Sequence, residues 1–131
     1  MASDPRPIDY IGYGAIYALH SILATNLELL TSEIIGEGRV ATRPYLIVAE
    51  GMITAMHLLR VTPVWSDART QFLLLTFCYR DLVESLTRDD PEVFRQAAAA
   101  LSQAQMMAAA SLQQLAVQLD VLPEQERAVG E

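Results

Sequence analysis

Phe94, Ala98, Leu101, Gln105, Ala108, Leu112, Leu115, Leu119 and Leu122 recur in alternating steps of four and three residues. Such spacing puts all nine side chains on one stripe of an α-helix, the seam by which helices pack with a left-handed crossing. A strand cannot use it, because strand side chains change face at every residue. Gln105 alone breaks the apolar character of the stripe. This segment therefore commits the last third of the chain to helix-on-helix packing.

The breakers divide the rest into segments of similar length. A first helix is expected over about 8–35, closed by the glycines of Gly36-Glu37-Gly38. A second begins at Thr42, a residue suited to an N-cap, with Pro44 in the first turn, and runs to about 61. For the third, ending near 88, either Thr62 or Ser66 is the candidate cap. Asp90-Pro91-Glu92 is the clearest start signal: an N-cap carboxylate, a proline at the first helical position and an acid facing the helix dipole. The fourth helix continues to about 121. No stretch alternates with period two for long enough to form a strand pair, and connections this short favour antiparallel neighbours. The expectation is an all-α, single-domain antiparallel bundle of about four long helices over 1–131, with 1–7 and 123–131 flexible.

Charge narrows the range of functions. Sixteen acidic residues face nine basic ones, all of them arginine, for a net charge of −7. That balance disfavours extensive contact with nucleic-acid phosphates. The lack of lysine excludes Schiff-base chemistry and the lysine of a phosphate-binding loop. Charged residues make up 19% of the chain against about 25% in ordinary soluble domains, so little surface is marked for water. The run from Tyr10 to Leu27 lacks a formal charge and approaches the length of a membrane span. It contains His20, Ser21, Thr25 and Asn26, however, and the second segment carries Glu50 at mid-length; such groups are costly in lipid. A membrane is therefore not the expected environment. The start of the chain does not read as a secretory signal, which makes a cytoplasmic location the expectation.

The same shortage of charge suggests a partner. From Gln96 to Leu119 there is no charged side chain, only six glutamines, two serines and apolar residues. One side of this segment is the seam. The other, with Gln103, Met106, Met107 and Gln114, is neutral, whereas a face turned only to water ordinarily carries charges. On the third helix, Leu73 and Phe77 lie one turn apart beside Arg80 and away from the core stripe, as an interface patch would. The first two helices are apolar nearly all round, more than a monomer of this length readily buries. These features together predict a homo-oligomer, a dimer in the simplest case, and a non-catalytic protein that acts through protein contacts as an adaptor, chaperone-like or regulatory subunit. Leu73, Phe77, Arg80, Gln103, Met106, Met107 and Gln114 are the expected interface residues.

A second reading is a small-ligand- or metal-binding bundle. Tyr13, Tyr17 and His20 form a column on the first helix, and Glu50 and His57 lie two turns apart on the second. Facing one another, they would resemble the way bundles build interior sites. Metal ligation is not expected, because neither Glu-x-x-His nor His-x-x-x-His occurs, and no cofactor motif is present. The lone Cys78 has no internal disulfide partner and fits a small buried hydrophobe. An enzyme of unknown class is a third reading. It has no support from the motifs, since no Gly-x-Ser-x-Gly is found and the two histidines lack a recognisable catalytic context, so no catalytic residue is assigned.

Overall fold

The computed structural model describes residues 4–37 and 39–121. Four helices account for about four-fifths of them: α1 (Pro7–Glu37), α2 (Arg43–Leu58), α3 (Ser66–Ser85) and α4 (Pro91–Leu119), with no strand among the described residues. Contacts along the helices give their directions. Met56 meets Arg69 and Glu50 meets Arg80, so α2 and α3 run antiparallel. Asp67 meets Ser111, near the start of α3 and toward the end of α4, so these two are antiparallel as well. Gly12 lies on Trp65 and His20 on Phe72, which makes α1 parallel to α3. The topology is up-down-up-down.

One helix organises the bundle. α3 makes the most extensive contacts, with α4 and then α2; α2 and α4 flank it without meeting each other, and α1 touches all three. Its stripe of Ala68, Phe72, Leu75, Tyr79, Leu82 and Val83 is buried at helical spacing, and Thr76 and Ser85 are buried with it. Those two hydroxyls donate to carbonyls of their own helix, Thr76 to Phe72 (2.9 Å) and Ser85 to Leu82 (2.6 Å), so no polar group is stranded by their burial. Each flanking helix contributes one seam: Tyr45, Ala49, Met52 and Met56 from α2; Leu101, Ala108, Leu115 and Leu119 from α4. The Tyr45 hydroxyl is held against Glu33 of α1.

The helix ends test the expected boundaries. Asp90 caps α4, its carboxylate accepting from the Glu92 N–H at 3.0 Å with Pro91 in the first turn. Asp120 closes the same helix in the left-handed conformation (φ 55°), and the N–H of Val121 reaches back to Ala116 at 2.9 Å. Thr42 precedes α2 without a side-chain cap. Neither candidate caps α3: Trp65 holds that position, and Ser66 is the first helical residue. Thr62 is engaged elsewhere. Its hydroxyl donates to Asp9 at 2.6 Å, across the molecule to the first turn of α1.

That contact ties α1 to the α2–α3 connection. Pro7 opens α1, and the Asp9 carboxylate also accepts from the Arg6 N–H at 2.8 Å, the reciprocal half of a capping box. Asp9 is almost fully buried. The Thr62 hydroxyl, then the Arg6 N–H, hold its carboxyl below the ordinary value of 3.8 although burial works in the opposite sense. Beside it Trp65, 1% exposed, lies flat against Gly12. A Cβ at residue 12 would stand 2.3 Å from the indole, inside any real contact. Only glycine permits this approach. Within the stretch 1–7, expected to be flexible, Pro7 is the first residue of α1 and the Arg6 N–H donates to Asp9. Residues 1–3, 38 and 122–131 lie outside the described residues, and with them Leu122 of the seam and the expected flexible tail 123–131.

Candidate functional site

The seam of α4 faces inward over its described length, with Leu101, Ala108, Leu115 and Leu119 buried and Phe94, Ala98 and Leu112 half-buried. Gln105 is exposed. The opposite side of the helix is open: Met106 is 72% exposed and Met107 53%, with Gln103, Ala110, Gln114 and Val117 exposed on the same side. The structure thus presents Gln103, Met106, Met107 and Gln114 together on one uncharged outer face.

The other proposed interface residues lie elsewhere. Leu73 and Phe77 are half-buried, Leu73 packing against the core cluster. Arg80 lies over the Phe77 ring at 5.0 Å and pairs with Glu50 of α2 at 3.1 Å. Leu73, Phe77 and Arg80 therefore sit on the flank of α3 that meets α2, and it is their neighbour Leu74 that is exposed. The Arg80–Glu50 pair is itself largely open to solvent and contributes ~0–1 kcal/mol. α1 and α2 keep their surplus apolar residues outside: Ile11, Tyr17, Leu29 and Ile35 on α1, Ile47 and Leu58 on α2, are all exposed.

The residues of the ligand reading separate into two groups. Tyr13 and Tyr17 stack loosely on α1, their rings 6.0 Å apart, with Tyr17 exposed. His20 turns inward, its ring 5.1 Å from Phe72. Glu50 faces the surface in its pair with Arg80. His57 is exposed, with Nδ1 placed 2.9 Å from the Ile53 carbonyl of its own helix. His20 and the Glu50–His57 pair thus occupy different parts of the bundle. Among the described residues no group of three or more His, Cys, Asp or Glu is arranged to hold a metal ion, and no helix is long and apolar enough to cross a membrane. Cys78 is half-buried, and burial, then Asp81, pushes its thiol above the ordinary value, away from nucleophilic reactivity.

A cavity of about 200 Å³ lies where α1, α3 and α4 meet, walled by His20, Leu23, Ala24, Leu27, Leu75, Gln105 and Ala109. His20 Nε2 is shielded from solvent and has no hydrogen-bond partner. Desolvation keeps the imidazole below its ordinary value of 6.5, which favours the neutral ring. The seam's single polar residue, Gln105, stands at this gap. Its position in the seam marked the place in advance, but Gln105 was not among the expected ligand residues. A larger depression of about 650 Å³ at the α3–α4 turn is walled mainly by exposed residues, including Arg88, Asp89, Asp90 and Arg95. It has the character of open surface.

No protein-family model, curated protein or solved structure matches this chain.

Proposed function

We propose that this protein is a self-associating helical module that acts through protein–protein contacts, as an adaptor, chaperone-like or regulatory subunit, and that the outer face of α4 is where a second copy docks. The observation that carries the reading is the exposure of Met106, Met107 and Val117 on a helix without a charged side chain from Gln96 to Leu119. A chain of net charge −7 repels its own copy wherever acidic groups approach within the ~8 Å screening distance of physiological salt. The outer face of α4 is a long surface on which that repulsion is least.

Self-pairing also suits its pattern. In an antiparallel contact about a two-fold axis through Ala110, Gln103 meets Val117 of the partner subunit, and Met106 meets Gln114 of the partner subunit. Such an interface is isologous, each residue pairing reciprocally. Ala110 on the axis allows close approach, Met adapts to an irregular surface, and Gln supplies neutral hydrogen bonds.

The test is a Met106→Glu/Met107→Glu double substitution, measured by native mass spectrometry and light scattering. Both side chains are exposed, so helical circular dichroism should be unchanged. The wild type should have a mass of at least two chains and the variant the 14.5 kDa of one. A monomeric wild type, or a variant that keeps the wild-type mass, would overturn the assignment.

A further inference from the structure

We infer that Met106 and Met107 are a modification site: oxidation of their thioethers to sulfoxides by a peroxide separates the two copies that meet on the outer face of α4. The inference rests on that docking reading and adds its regulation.

Burial sorts the methionines into two classes. Of the four among the described residues, Met52 and Met56 are 3% and 0% exposed in the core, whereas Met106 is 72% exposed and Met107 53%. An oxidant in solution therefore reaches the sulfurs of α4 first. The remaining sulfur competes poorly. Cys78 is half-buried with its thiol held above the ordinary value, and it is the thiolate that attacks a peroxide. Trp65, the one tryptophan, is buried as well.

The chemistry is an oxygen transfer. The thioether sulfur attacks the hydroxyl oxygen of the peroxide, and an S–O bond forms as the O–O bond breaks. Sulfur gives up two electrons. The other peroxide oxygen takes the proton and leaves as water or an alcohol. A flexible apolar side chain becomes a polar one.

Location gives this change its effect. Adjacent residues on a helix differ in direction by ~100°, so the two sulfurs lie on either side of the line that Gln103, Ala110 and Gln114 draw along α4. About the two-fold axis through Ala110, the assembled pair buries two methionines from each copy. A thioether requires no hydrogen bond there. A sulfoxide oxygen is hydrated on the separate chain, and on assembly must exchange that water for a carboxamide of Gln103 or Gln114. Oxidation therefore favours the separate chains, and because both side chains are exposed on them, the fold is undisturbed.

Hydrogen peroxide is the probe. The folded wild type is sampled during oxidation by light scattering and by mass spectrometry of its tryptic peptides. Cleavage at Arg95 and Arg127 places Met106 and Met107 in one peptide with no other sulfur. That peptide should gain its two oxygen atoms before the peptide of Met52 and Met56 gains any. The mass should fall in step to one chain, 14.5 kDa, with a dissociation constant at least about tenfold higher and unchanged helical circular dichroism. Oxidation should slow as protein concentration rises, because assembly covers both sulfurs. Met106→Leu/Met107→Leu keeps the apolar area without the sulfur and should stay assembled in peroxide. Thiol-dependent sulfoxide reductases, which return the oxygen to water as two thiols become a disulfide, should restore the wild-type mass; this repair decides the matter if the leucine variant does not assemble.

An assembly that persists with both sulfoxides formed would overturn the inference and leave the docking face standing. So would equal oxidation of Met52 and Met56, dissociation of the leucine variant by peroxide, or dissociation that survives full repair. A wild type that is a single chain before oxidation would overturn both readings.

Discussion

α1 makes two kinds of contact with the same partner helix, only two turns apart. At its start the backbone lies against Trp65 so closely that Gly12 cannot accept a Cβ, and Asp9 is satisfied on both sides by Thr62 and Arg6. At its middle the packing opens into the His20 cavity, and a polar atom is left without a partner. One contact is closed, with no room for a Cβ, although the Trp65 indole N–H has no acceptor there; the other opens into a gap. The apolar content of the helix is similar at both places, so composition does not make the difference. It comes from the shape of what stands opposite: an indole against a glycine in one case, a glutamine against a histidine in the other.

Opposite changes of volume give the largest test of that difference. Removing the indole with Trp65→Ala should cost ~3–5 kcal/mol, and adding one methyl with Gly12→Ala ~1–3 kcal/mol through overpacking, despite alanine's better helix propensity. Adding three carbons at the cavity with Ala109→Leu should cost less than about 1.5 kcal/mol. Urea unfolding followed by circular dichroism ranks the three. A larger loss for Ala109→Leu than for Gly12→Ala would reverse the comparison.

Acid should separate the two regions next. Both Asp9 and His20 bind protons less readily when folded than when unfolded, so each contributes stability at higher pH that is lost on acidification. For His20 the contribution is complete above the ordinary imidazole value of 6.5 and declines as pH falls from there toward the lower folded value. For Asp9 it is complete above 3.8 and is lost only below that. The urea midpoint should therefore decline first in a step that His20→Phe removes, and again at lower pH in a step that Asp9→Ala removes. Asp9→Ala should also cost ~1–3 kcal/mol at neutral pH by leaving the Thr62 hydroxyl and the Arg6 N–H unpaired. A first step that survives in His20→Phe would assign it to another group.

The smallest effect concerns Gly14. Two residues beyond Gly12, it faces open space, with no atom within 4 Å of an added Cβ. Gly14→Ala should stabilise the protein by up to about 1 kcal/mol through helix propensity alone. A loss in thermal midpoint instead would mean that this side of α1 is covered by a second molecule.

These contacts also show where sequence pattern is informative. The 4-3 seam of α4 and the Asp90-Pro91 start were legible because both are local: period and cap chemistry depend on residues a few positions apart. Glycine spacing could not show that Gly12 meets an indole while Gly14 meets nothing, because two residues along a helix differ in direction by ~200°. Thr62 has the chemistry of a cap but bonds to Asp9, 53 positions away, a choice made by tertiary contact. Glu50 and His57 share a helix face, yet pairing with Arg80 turns Glu50 toward the surface rather than toward His20. The break at Gln105 was visible as an exception in a regular stripe; that it lies opposite His20 depends on how α1 is set against α4.

The arrangement around α3 has a consequence for how the molecule opens. Because α2 and α4 do not meet each other but both pack on α3, α2, α3 and α4 remain joined through α3 when the middle of α1 lifts away. Opening of α1 between the Trp65 corner and its contact with Tyr45 would then be a subglobal event with its own free energy. The amides of α3 are therefore expected to exchange most slowly with solvent and those in the middle of α1 faster, an order that amide hydrogen exchange would check.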